Sequence, residues 1–330
     1  MKHSFYVFLF FFFSVTFVSA GVKSILEEHI LPGYERLYLR ASALSWQAQK
    51  DCSAVNLIKP YHEAFDAWLS ISHIRFGPVE ENGNSLAIAF WPDKKGFTKK
   101  VLKNLIANSD EVIEKVNVFK EISVAGRGLF ALELLLYDKD FAEYDPGDYE
   151  CGLVVAITKE LERMTREIYE NWIDNYKLKF LQYGSTLSDF NSEREVVQAL
   201  YTSITTSLRF NSEQRLGRPL GKTNNPKPKR SEAYRSSRSL TNLKHSISAI
   251  YELSHLLFNE ENEALTRAYE RFHTYLSTFD QDIFPGIVSS DYRKKLKILQ
   301  WKIKDIEDVI NADLGKKLGV SSGFNSLDGD

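Results

Sequence analysis

Glu133 stands inside an otherwise unbroken apolar run, Leu129-Phe130-Ala131-Leu132-Glu133-Leu134-Leu135-Leu136. A carboxylate in such surroundings must be paired, bound to a metal or protonated. Arg127 lies six residues upstream, too far to be an ideal same-face partner, so Glu133 is expected to face another element. A buried Glu–Arg bridge between two helices is the plain alternative to a site. His62, Asp66 and His73 are spaced by four and eleven residues, close to whole helical turns, and so fall near one polar face. A His and an Asp one turn apart can chelate a metal or form a solvated pair. His62, Asp66, His73 and Glu133 are therefore the metal candidates.

Other chemistry is carried by irregular segments, which usually lie on the surface. In Ser72-His73-Ile74-Arg75-Phe76-Gly77-Pro78, His73 and Arg75 follow a helix, where its dipole favours cations. They either cap that helix or meet a ligand. In Phe90-Trp91-Pro92-Asp93 the residue before proline is extended, and Trp91 either walls a pocket or plugs a loop. The stretch 217–230 is rich in Gly, Pro, Asn and basic residues, and Pro219, Pro226 and Pro228 are expected to keep it out of a helix. Ser231 or a nearby hydroxyl then caps the next helix, and Arg235 answers a carboxylate with two parallel hydrogen bonds. This basic segment is either a solvated loop or an anion site at a helix start. The ligand-binding candidates are His73, Arg75, Trp91, Asp93, Arg127, Glu133, Glu232, Arg235, Ser236 and Ser239. No His-Glu-x-x-His, Gly-x-Ser-x-Gly or Gly-rich phosphate loop occurs.

The elements that must position these residues are helices. Apolar residues step by three and four through Ile30, Tyr34, Leu37, Ala41, Leu44 and Ala48, through Leu57, Tyr61, Phe65 and Trp68, through Leu153, Ile157, Leu161, Met164, Ile168 and Trp172, and through Tyr292, Leu296, Leu299, Ile303, Ile306 and Ile310. Each series paints one apolar stripe. Only Ser85 to Phe90 reads as a short extended piece. Asp145-Pro146-Gly147-Asp148 is a turn whose Asp148 caps the helix after it, and Tyr183-Gly184-Ser185 ends that helix. The expected architecture is all-α, with two antiparallel helical bundles at 21–184 and 185–330.

Residues 1–20 join Lys2 to an apolar run too short to span a membrane, then Val18-Ser19-Ala20, the layout of a cleavable secretory signal. Export places the mature chain in an oxidising compartment. There Cys52 and Cys151 most simply form a disulfide, the alternative being two buried thiols. A net charge of −2 gives no global attraction to nucleic acid.

Taken together, Arg75-Phe76-Gly77-Pro78, Phe90-Trp91-Pro92-Asp93, Arg127-Gly128 with Ala131-Leu132-Glu133, Pro219-Leu220-Gly221, Glu232-Ala233-Tyr234-Arg235-Ser236 with Ser239, and the ending 323–330 resemble the imelysin-like family of exported bacterial proteins, in its predicted periplasmic branch. The resemblance implies an all-helical fold of two bundles with a cleft between them. It also implies a periplasmic link to iron acquisition, with an iron- or haem-related ligand and a periplasmic or inner-membrane transport partner. Iron or another divalent metal is the implied cofactor. Peptidase-type members carry Gly-x-His-x-x-Glu. Aligned on Gly128 and Glu133, this sequence reads Gly128-Leu129-Phe130-Ala131-Leu132-Glu133, so Phe130 or a neighbour stands in place of the His. The leading expectation is a ligand-binding protein in which Arg75, Arg127 and Arg235 supply charge. Its rivals are a metallopeptidase, with Glu133 as base or ligand, and a non-catalytic partner-binding protein.

Overall fold

The stripes read from the sequence become the core: each residue of the four series, from Ile30 to Ile310, is buried. The computed structural model describes residues 18–316 except 223–224. The expected signal peptide, apart from its last three residues, and the ending 323–330 lie outside the described residues. The fold is all-α; among the described residues the only β feature is one bridge between Lys222 and Asn225.

Helix α1 (Val18–Ile25) runs through a wide π turn, Leu26–Ile30, into α2 (Leu31–Lys50). There follow α3 (Ala54–Leu69), α4 (Phe97–Asn108), α5 (Gly128–Tyr137) and the long α6 (Tyr149–Asn171). The second half holds α7 (Glu193–Arg209), α8 (Ser239–Phe258), α9 (Glu263–Leu276) and α10 (Ser290–Val309). Helix α2 lies against α3 and α6, and α5 against α3, α4 and α6. In the second half α7 and α8 pair, and α9 lies along α10. One hydrophobic cluster runs through both halves, and α1 packs against α7 and α8.

Cys52, in the link between α2 and α3, and Cys151, in the first turn of α6, form a disulfide with Cα atoms 5.4 Å apart. It fastens one end of the α2–α3–α6 group.

Several local expectations change. Residues Asn84–Ile88 form a short helix rather than an extended piece. Asn84, Ser85, Ala87 and Ile88 are its buried positions, a helical spacing that outweighs the alternation seen in the sequence. Pro219 is helical too. The chain stays coiled from α7 through a π segment, Phe210–Gly217, into Arg218–Leu220. The wide π turns alter the carbonyl spacing that a proline would otherwise meet, and Gln300 Nε2 donates to the carbonyl of Ser212 at 2.7 Å. Asp148 occupies the N-cap position of α6 but makes no cap bond; its carboxylate accepts from the Asp145 amide instead. The start of α8 is capped from a distance, not by Ser231: Asp282 accepts from the Ser239 and Leu240 amides at 2.9 and 2.8 Å.

Gly128 is the position where side-chain bulk is least tolerable. Its φ is +71°, and a Cβ there would lie 2.1 Å from the Ala87 carbonyl oxygen. Only glycine lets the chain turn tightly into α5 against the short helix, and that turn sets the direction in which Glu133 points.

Candidate functional site

Glu133 lies on α5, 3% exposed. Its Oε1 accepts hydrogen bonds from the amides of Arg235 and Ser236, both at 3.1 Å, and from the Ser236 hydroxyl at 2.9 Å. The segment 233–237 is shaped for this. Ala233 and Ser237 have φ of 46° and 52°, so the chain doubles back and aims consecutive amides at one point. Glu133 fills that anion hole from within the molecule. Burial raises its pKa, opposed by the Ser236 amide and hydroxyl and by the Arg235 charge.

Arg235 itself pairs with Asp138 at 2.6 Å and lies over the Tyr234 ring. Arg238, 3% exposed, makes hydrogen bonds to His62 Nδ1, to Asp66 and to Asn242, and lies over the Phe65 ring. An arginine only donates, so His62 Nδ1 accepts. Its Nε2 then carries the proton and donates to the Tyr137 hydroxyl, 2.8 Å away.

These contacts answer the metal expectation. The guanidinium of Arg238 stands between His62 and Asp66, where a metal would sit, and Glu133 is ringed by donors that repel a cation. Helix α3 ends at Leu69, short of His73, so the helical spacing does not carry His73 to the same face. His73 meets His29 instead. Among the described residues no three His, Cys, Asp or Glu side chains converge as metal ligands. The side chains present do not fit the divalent metal that the resemblance implies.

The remaining candidates divide between structure and cavity. Arg127 reaches Glu160 at 3.2 Å, and Glu160 also holds Arg163 through two bonds of 2.7 Å; this is a buried cluster on α6 rather than a partner for Glu133. Glu232 takes both arms of Arg215, at 2.7 and 3.2 Å, and accepts from Asn242. Ser239 donates to the Glu232 carbonyl at 2.6 Å. Asp93 accepts from the amides of Lys95, Phe97 and Thr98 and so fixes the start of α4, while its side chain also borders a cavity. Arg75 lies 3.6 Å from Glu80.

Two cavities of about 220 and 250 Å³ have Trp91 and Phe130 in common. The first is bordered by Glu133, Arg218, Arg230 and Arg235, and the second by Arg75, Phe210, Arg215 and Glu232. Both draw residues from each side of position 184. Trp91 stacks near Phe130 at 6.5 Å and meets Phe210 edge-on at 5.8 Å. Phe130, the residue at the histidine position of the peptidase-type pattern, therefore serves as an aromatic wall. Arg215 was not among the residues singled out from the sequence, and Arg218 and Arg230 entered only through the reading of 217–230 as a basic segment. The three-residue step from Arg215 to Arg218 on one helix was the available signal.

A second buried polar contact lies apart from the cavities. His29 Nε2 and His73 Nε2 are 2.8 Å apart, and His29 Nδ1 lies 3.8 Å from the Glu252 carboxylate. Burial, and then the Arg36 charge, pulls the His29 pKa down to about 4 from 6.5; burial and then His29 hold His73 well below its usual value. A depressed histidine binds more protons when unfolded, so its neutral form favours folding fully above pH 6.5. That contribution is lost as the pH falls toward about 4, and amounts to about 3 kcal/mol for His29. Glu133, with a raised pKa, acts with opposite sign in the acid range. The comparison of wild type with His29→Gln isolates the histidine share. Urea unfolding between pH 7 and 4 is expected to show a steeper acid loss in the wild type, and parallel curves would refute it.

An all-α protein whose buried glutamate clasps a loop beside aromatic-walled cavities is the class that the fold and site define. The chain belongs to the imelysin family, whose model matches residues 30–310. No curated protein matches it. Among solved structures, it is similar to an imelysin-like protein from Psychrobacter arcticum 273-4, with TM-score 0.75 and 18% identity over 93% of this chain and 97% of that one. It is also similar to a protein described as an iron-regulated protein A precursor from Parabacteroides distasonis ATCC 8503, with TM-score 0.71 and 13% identity over 89% and 94% of the two chains. Among the described residues no helix is long and apolar enough to cross a membrane.

Proposed function

We propose that this chain is an exported, periplasmic ligand-binding protein linked to iron acquisition, and that it holds its ligand in the cavities that meet at Trp91. The observation that carries this reading is the pair of cavities sharing Trp91 and Phe130, each bordered by arginine side chains. Aromatic walls with a few fixed charged groups are the usual make-up of a small-molecule site. The secretory layout of residues 1–20 and the Cys52–Cys151 disulfide support an oxidising compartment. The similarity to an iron-regulated protein supports the link to iron. The peptidase alternative draws no support from the site, because Phe130 stands at the histidine position and Arg238 between His62 and Asp66.

The test is calorimetric titration of the purified protein with ferric citrate and with haem, for wild type and Trp91→Leu. Saturable binding weakened about tenfold by the substitution is expected, since an aromatic wall contributes on the order of 1–2 kcal/mol. No binding of either compound, or binding indifferent to Trp91, would remove the proposal and favour a role in contacting a protein partner.

A further inference from the structure

The charges around the first cavity do not balance. Each acid near it is already engaged: Glu133 by the 235–236 amides and the Ser236 hydroxyl, Asp93 by three amides, Asp138 by Arg235 and Asp140 by Lys99 at 2.6 Å. Arg218, Lys229 and Arg230 border the same cavity and make no ion pair with a described residue. Arg218 is half-buried, and its Nε is buried without a hydrogen-bond partner. Burial first, and then the charge of Arg230, lower its affinity for its proton. The helix end beneath Arg218 offsets part of that cost but supplies no acceptor to Nε. Ser231, 2% exposed, borders the cavity with its hydroxyl buried and unpartnered. Native interiors seldom leave such groups unsatisfied. Two neighbouring arginines and an idle hydroxyl beside a cavity describe a site shaped for an acceptor of negative charge.

We infer that this cavity binds a small multivalent oxyanion, carrying two or more carboxylate or phosphate charges, held by Arg218 and Arg230 with Lys229 and the Ser231 hydroxyl. The inference rests on the proposed ligand-binding role and names the anchoring chemistry of the ligand: iron would arrive as a complex of such an anion. The guanidinium fork matches carboxylate and phosphate alike. More than one charge is called for, because a polyanion can pair with several of the three cations that lack an ion-pair partner, whereas a monoanion can pair with one. A volume of about 220 Å³ also exceeds a single water's share, about 30 Å³, several-fold. Trp91 supplies the apolar wall against which the anion's carbon or phosphate skeleton rests.

Calorimetry with citrate, pyrophosphate and acetate, on wild type, Arg218→Met and Arg230→Met, tests this. Citrate or pyrophosphate is expected to bind and acetate not. Each methionine is expected to weaken binding about thirtyfold, the loss of charge-assisted hydrogen bonds, and added salt to weaken it in wild type. The empty Arg218→Met protein should unfold at the same urea concentration as wild type or a higher one, since a like-charge contact is removed. Failure of both polyanions to bind, or affinities untouched by either substitution, would overturn the inference, and so would a strongly destabilised Arg218→Met with an unaffected Arg230→Met. Haem or ferric-complex binding that survives both substitutions would overturn the oxyanion site while leaving the ligand-binding role intact. Arginine-dependent citrate binding that is identical with and without ferric iron would support the oxyanion site and remove the link to iron.

Discussion

Alanine at position 133 is expected to cost about 3–5 kcal/mol of folding stability, since each buried donor left unsatisfied costs about 1–3 kcal/mol. The substitution removes the acceptor of three hydrogen bonds, leaving the Arg235 and Ser236 amides and the Ser236 hydroxyl with no carboxylate to face. These donors are held in a doubled-back segment with two residues at positive φ, so they have little freedom to find other partners. Glutamine should be milder, about 1–2 kcal/mol, because its carbonyl can accept the same bonds without the charge. Urea unfolding of wild type, Glu133→Gln and Glu133→Ala gives the ordering directly. An alanine variant as stable as wild type would mean that the 233–237 segment holds its shape unaided. The same experiment bears on binding, because Arg235, within that segment, and Arg230, just before it, border the same cavity. A loosened loop should weaken any ligand held there, even though Glu133 need not touch it.

Loss of the disulfide is expected to be comparably severe. Cys52 and Cys151 are separated by 99 residues, and a cross-link closing a loop of that length stabilises by about 4–5 kcal/mol in the chain-entropy model, with measured losses of about 2–5. The Cys52→Ser/Cys151→Ser double variant should therefore unfold at clearly lower urea concentration than wild type. Reduced wild-type protein should match the double variant. Equal stability of oxidised and reduced forms would show that helix packing alone sets the geometry at this end of the molecule. The bridge is assisted locally by the Tyr144 hydroxyl, which donates to the Cys52 carbonyl at 2.9 Å. Both effects are large because each acts where packing offers no substitute.

The helices were legible in the sequence because their stripes are long. Each residue of the series from Leu153 to Trp172 turned out buried, as did each from Tyr292 to Ile310. Periodicity over six positions is hard to produce by chance, whereas the five residues from Asn84 to Ile88 fit an extended or a helical reading until the packing is known. The buried state of Glu133 was legible too, since an acid in a Leu-rich helix has few alternatives. Its partners were not. The Arg235 and Ser236 amides lie about a hundred residues away along the chain, and backbone donors leave no mark on residue type. The same limit hid Arg238. Its contacts with His62 and Asp66 span 176 and 172 residues, and only their meeting shows that an arginine fills the place where a metal seemed chemically reasonable. His73 shows a subtler failure. The spacing argument assumed a helix that continues past Leu69, and the chain leaves it there.

The contact of α1 with α7 and α8 has a consequence for how the molecule is made. Helix α1 and the π turn after it carry Val22, Ile25 and Leu26, and these residues are buried in the finished protein. Helix α1 packs on α8, Ser239–Phe258, which is synthesised much later. Until then α1 has an uncovered apolar face, and domains that are still incomplete hold little stability of their own. Closure of that face thus waits until α8 has been made.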